Sequence, residues 1–382
     1  MKKRIIVSLS FLLVFSLQIY GQTWSALKRL TWDGCGSFRP AVAANTGSKV
    51  HVVWEDDNAG QAEIYYKRST NGGTAWQSRV RLTWNPGFSI FPSIAADPVI
   101  GIHIAWNDNS PGNYEIFYKQ STDSGSSWSA LKRLTWNSGG SSHPYITADS
   151  GSGIHIVWTD NTPSNEEIFY KKSTDSGVTW SGLTRLTWNI GQSKTPAIAA
   201  DTSSGLHVVW YDDSPLNWEI FYKRSTDGGD SWSPPTRLSW NNGISTEPII
   251  AADSTNGVHV VWFDDSLGNW EIFYKRSTDS GSSWSALMRM TWNTGVSGNP
   301  FICSDSGTGV HIVWADTTPL NRELFYKQST DSGTTWSGLT RLTWNSGVSE
   351  NPAVTTNPLS GINVVWYDNS PGNFEIFYKN GK

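Results

Sequence analysis

Beyond residue 21, short apolar runs follow one another, each closed off by Gly, Asn, Asp, Ser or Pro, and no stretch shows the spacing of an amphipathic helix. Alternation and β-branched content mark the runs as strands. In one representative segment they are Pro92 to Ala96, Gly101 to Trp106, Glu115 to Ser121 and Ser129 to Trp136, with proline opening the first strand, where a missing N–H costs no ladder bond. The pattern repeats at one fixed interval. An Arg-Leu-Thr-Trp tetrad or a close variant begins at Arg29, Arg81, Arg133, Arg185, Arg237, Arg289 and Arg341, a period of 52 residues without insertion. Four strands per unit and seven units predict an all-β, seven-bladed β-propeller with four-stranded blades.

The two ends predict how the ring closes. Residues 1–21 read as a secretory signal peptide: Lys2, Lys3 and Arg4 precede an apolar run from Ile5 to Ile19, and no second apolar span follows. The expected location is therefore secreted or periplasmic, without membrane insertion after cleavage, and residues 22–382 form one domain. This domain begins with a fourth strand, Ser25 to Trp32, and stops after a third, Glu375 to Lys379. The N-terminal strand is expected to complete the last blade, which removes exposed sheet edges.

The turn after the third strand reads Ser-x-Asp-x-Gly-x-x-Trp at Ser121, Ser173, Ser225, Ser277 and Ser329, with Asn71 replacing Asp in the copy at Ser69. This resembles the Asp-box repeat of sialidases and of other, non-sialidase propellers; seven-bladed secreted lectins are similar in repeat design. The resemblance places the turn on the face opposite an active site. For sialidase activity it implies three arginines gripping a carboxylate, an aspartate acid/base and a tyrosine with a glutamate partner. Sialidase propellers usually have six blades, and outside the repeated column only Arg39 and Arg322 reach the variable positions. Tyr211, Tyr367, Glu247 and Glu350 are available, but no copy pairs them in the sequence.

The repeated columns read as structural. Of 23 tryptophans, seven end the turn, seven end the tetrad and seven end the second strand, and all three columns are expected in the core. The tetrad arginine is expected to pack its stem along a strand and pair its head locally. His51, His103, His155, His207, His259 and His311 share one column that ends in Asn363, which suits a hydrogen-bonding spacer. The aspartate two residues after each strand-two tryptophan, as in Asp56 and Asp108, suits an Asx turn.

Composition narrows the partners. Net charge is −4 with the cations dispersed, so nucleic acid is not expected. No metal-ligand spacing occurs and no cofactor is expected. Cys35 and Cys303 lie in different columns of non-adjacent units and are expected to stay free.

Function is expected where the copies differ. The residue before the strand-one proline is Arg39, Phe91, His143, Thr195, Glu247, Asn299 or Asn351. After the strand-two tryptophan come Glu55, Asn107, Thr159, Tyr211, Phe263, Ala315 and Tyr367. Before the strand-three glutamate stand Ala62, Tyr114, Glu166, Trp218, Trp270, Arg322 and Phe374. These columns should gather around one mouth, with Trp218 and Trp270 as exposed stacking rings and Asp212, Asp213, Asp264 and Asp265 accepting from hydroxyls. The expected role is non-catalytic glycan binding. An exo-α-sialidase or other glycoside hydrolase, and a protein-binding scaffold, stand as alternatives; the sequence does not set the oligomeric state.

Overall fold

A computed structural model describes residues 22–382 except 33, 46, 163 and 319; the expected signal peptide lies outside the described residues. Seven four-stranded antiparallel sheets are present, six of them running in chain order from an inner to an outer strand. The fold is the expected seven-bladed propeller. In blade 3 the strands are Ser141–Ala148, Ile154–Asp160, Glu167–Ser173 and Thr184–Arg185. The seventh blade takes its outer strand, Lys28–Arg29, from the other end of the chain, paired to Phe377 and Tyr378. Thr23 and Lys382 exchange two backbone hydrogen bonds of 2.9 Å, which seals the ring.

Every residue of the second strand Ile154–Asp160 is buried, because a blade's middle strands are covered on both faces by neighbouring blades. The cores therefore lie between blades: Ala105, Ile116 and Tyr118 of blade 2 pack with Ile146, Ile156, Trp158 and Phe169 of blade 3. No unit could bury its own apolar face alone. The turn motif ties the same joints. Ser121 Oγ donates to Asp123 (2.7 Å) and accepts from Gly125 N (2.7 Å), while Asp123 accepts from Ser127 N (2.8 Å). Gly125 sits at φ +79°, and a Cβ there would meet the Tyr66 hydroxyl of the preceding blade at 1.8 Å. Trp128 packs edge-on against the same Tyr66, ring centroids 4.9 Å apart, and is half-buried.

Three expectations need correction. The inner strand starts earlier, at Ser89, so Pro92 lies within it; a bulge between Ile90 and Ser93 takes the proline out of the ladder. The outer strand pairs over only two residues, as at Lys132–Arg133. The tetrad tryptophans are not core: Trp32, Trp84, Trp136, Trp188, Trp240, Trp292 and Trp344 are 65–67 % exposed, whereas the strand-two tryptophans are 0–1 % exposed. Just past the short outer strand the ring leaves the packed layer, with the arginine of its own tetrad and a third-strand lysine of the following blade beside it. The preceding Leu and Thr point inward, as Leu134 and Thr135 do.

The arginine and histidine columns are structural, as expected. Arg185 Nη2 reaches the fully buried Glu167 at 2.8 Å, and its Nε donates to the Thr187 carbonyl. His155 bonds the Tyr170 hydroxyl (2.8 Å) and Asp149 (3.1 Å). Blade 1 differs, since Asn45 stands where Asp149 does and faces His51 at 3.2 Å. Burial, with the Arg68 and Lys49 charges nearby, drives the His51 pKa down to about 3. The unfolded chain takes up this proton near pH 6.5 and the folded chain only near 3. Stability is therefore lost as pH falls through that window, by at most about 5 kcal/mol. His51→Asn, the choice blade 7 makes at Asn363, should flatten the fall of melting temperature between pH 6.5 and 3.5. An unchanged acid limb would rule this out.

Candidate functional site

The bulge that removes each proline from its ladder has a second effect. The residue before it is forced into left-handed backbone: Arg39 (φ 47°), Phe91 (56°), His143 (52°), Thr195 (46°), Glu247 (48°), Asn299 (50°) and Asn351 (45°). None is glycine. Together they ring the mouth of the central channel, around a cavity of about 490 Å³ whose floor includes Tyr145, Ile249 and Phe301.

On one side of the mouth the side chains stack. The Arg39 guanidinium lies 4.4 Å from the Phe91 ring centre, and Phe91 and His143 rings are 4.2 Å apart. Burial, with the Arg39 and Lys194 charges, pulls the His143 pKa down to about 4, so the imidazole is neutral at neutral pH. Opposite them Glu247 stands 3.5 Å from Asn299; the enclosing protein pushes its carboxyl upward, against the Asn299 hydrogen bond.

The other two variable columns stand behind this ring rather than in its lining. Glu55 is buried and braces the mouth, pairing with Arg39 and accepting from Phe91 N at 2.9 Å. Thr159 supports Thr195 N in the same way at 3.0 Å. Trp218 and Trp270 are half-buried, correcting the expectation of freely exposed rings: Trp218 packs edge-on to Tyr211 and Trp270 lies tilted against Phe263, both at 4.9 Å. Phe374 packs against Tyr367 and Phe38, and Tyr114 is half-buried, its phenol pushed upward by burial and by the Asp108 and Glu55 charges. Asp212 and Asp264 are buried and committed, accepting from Ser193 and Ser245 hydroxyls and from turn N–H groups. Asp213 and Asp265 accept from Gln192 N and Ile244 N. Asp212 and Asp264 are thus committed to the blade, whereas Asp213 and Asp265 each spend one oxygen on a turn N–H.

One column escaped the sequence reading. Two residues before each proline, strand one faces the residue after the strand-two tryptophan: Lys194 faces Tyr211 and Glu350 faces Tyr367. Tyr367 donates to Glu350 at 2.8 Å and Arg322 reaches the same carboxylate at 2.5 Å, so the tyrosine–glutamate pair absent from the sequence pattern is present in space. Burial and the Glu350 bond push the Tyr367 phenol upward, against Arg39 and Arg322. The period-two rule predicts this facing only once the bulge is known. Among the described residues three cations thus stand at or beside the mouth, and each is paired: Arg39 with Glu55, Lys194 with Glu166 and Arg322 with Glu350. Among the described residues no cluster of His, Cys, Asp and Glu could hold a metal, and both cysteines are unpaired.

No protein-family model and no curated protein matches the chain in sequence. Solved structures do match in shape. A protein of unknown function from Dyadobacter fermentans superposes with a TM-score of 0.58 at 12 % identity, covering 78 % of this chain and 97 % of that one. An α-L-arabinofuranosidase from Fusarium graminearum gives 0.57 at 13 %, covering 76 % and 92 %. A Hadza microbial sialidase gives 0.53 at 14 %, covering 87 % and 76 %. The chain therefore has a sialidase-like propeller fold, shared at low identity with the arabinofuranosidase as well.

Proposed function

We infer that the protein is a non-catalytic carbohydrate-binding propeller whose ligand seats in the central mouth. One observation carries this reading: seven non-glycine side chains of six chemical types are held at positive φ around one cavity. Each such residue costs of order 1 kcal/mol of backbone strain, and glycine would relieve it. The fold keeps the side chains instead. Flat Phe91 and His143 rings beside Thr195, Glu247, Asn299 and Asn351 suit the apolar faces and hydroxyls of a sugar. The shape likeness to glycan-cleaving enzymes supports the same ligand class. Because every cation at the mouth already has a glutamate, a neutral sugar fits better than an acidic one.

A glycan array on residues 22–382 tests this. Truncating Phe91 and His143 together to Ala should lower affinity about 30-fold, at about 1 kcal/mol per ring. Full array signal in that variant would refute the mouth as the site.

The Tyr367–Glu350 pair supports a second reading, hydrolysis by a sialidase-like mechanism. Against it, Arg322 and Arg39 are neutralised by their own glutamates. A fluorogenic sialoside and arabinoside assay decides: turnover abolished by Tyr367→Phe would favour the enzyme.

A further inference from the structure

The mouth does not account for the exposed tetrad tryptophans. All seven blades keep an indole at a place where about two thirds of its surface is in water. Exposed indoles add nothing to the inter-blade cores and are a liability for solubility. Each is also flanked by two cations. Each ring has the arginine of its own tetrad 5.7–5.9 Å from its centre. Each also has a third-strand lysine of the following blade at 5.2–5.7 Å.

These cations are already engaged. At Trp188, Arg185 is bound to Glu167, and Lys223 donates to the Leu186 carbonyl at 2.7 Å. The pair therefore braces the ring more than it recruits an anion, and a braced aromatic face has less entropy to lose on contact with a ligand. Beside Trp188 a cleft of about 240 Å³ opens between blades 3 and 4, with Asn189, Ser214 and Lys223 contributing polar groups and Pro235 an apolar wall.

We propose that the seven tetrad tryptophans are equivalent stacking platforms for neutral pyranose rings, one at each blade junction, so that the chain binds glycans multivalently around its perimeter. This rests on the carbohydrate reading above and adds sites separate from the mouth. Weak single contacts repeated seven times gain avidity of ~10² or more on a surface carrying many copies of the sugar.

The test is stoichiometry. Residues 22–382 are titrated with the methyl pyranosides of glucose, galactose, mannose, fucose and N-acetylglucosamine, and bound ligand per chain is read by native mass spectrometry. At least one sugar should approach seven perimeter equivalents in addition to any mouth site. Trp188→Ala should remove one equivalent and the triple variant Trp84→Ala, Trp188→Ala, Trp292→Ala three, with melting temperatures within a few degrees of the parent; Trp188→Phe should restore the lost equivalent. A mere inter-blade latch would instead lower the melting temperature and leave the count unchanged, overturning the proposal. Saturation at a single equivalent that is lost in the Phe91, His143 double variant would overturn the perimeter and leave the mouth reading intact. Binding of no glycoside, with no array signal, would overturn both.

Discussion

Deleting residues 22–32 should destabilise the protein by about 5 kcal/mol or more and lower its melting temperature by roughly 10 °C. The segment is short, but its contacts are buried. Leu30, 2 % exposed, fills the core between blades 7 and 1, and Trp24 packs edge-on to Tyr326 at 5.0 Å. Arg29 is the 2.6 Å partner of Glu375, whose side chain is fully buried, so its loss removes the opposite charge from a buried carboxylate. Thr31 Oγ1 accepts from Ile376 N at 2.8 Å, and that donor would also be orphaned. Trp32, expected in the core, is exposed and contributes little to this loss. The truncated protein would also present the edge of Glu375–Gly381 to other chains, and aggregation should accompany the lower transition. A melting temperature within two degrees of the parent would mean that the ring does not depend on this strand.

The second large effect separates two tryptophan columns that look alike on paper. Trp158→Ala should cost about 3–5 kcal/mol, because a fully buried indole at a blade junction leaves a cavity that rigid neighbours cannot fill. Trp136→Ala should cost under about 1 kcal/mol: it removes an exposed ring and two cation–π contacts, to Arg133 at 5.8 Å and Lys171 at 5.7 Å. Chemical denaturation of both variants measures the difference. Equal losses would contradict the assignment of one column to the core and the other to the surface.

The blades were legible because the 52-residue period and the strand runs act at the level of whole units, and both termini fall within a unit. Individual side chains were less so. Leu134, Thr135 and Trp136 form one unbroken pattern, yet the outer strand releases its neighbour after two paired residues and the tryptophan leaves the packed layer. A lysine in every third strand, such as Lys171, was the available signal, since a charge at that place in all seven units needs a surface partner. The pre-proline column was identified as variable, but its left-handed backbone depends on a bulge that the spacing does not announce. The same bulge hid the facing of Glu350 and Tyr367. Trp218 and Trp270 stood out as unrepeated rings; that each leans on an aromatic neighbour follows from the third column lying beside the second, which only the folded register reveals.

The most direct measurement is a crystal structure of residues 22–382 soaked with the strongest neutral glycan from the array. The account predicts a sugar ring in the central mouth, its apolar face against Phe91 or His143 and its hydroxyls within hydrogen-bond distance of Glu247, Asn299 or Asn351. An empty mouth, with the glycan bound only on the face formed by the Ser-x-Asp-x-Gly turns, would contradict it.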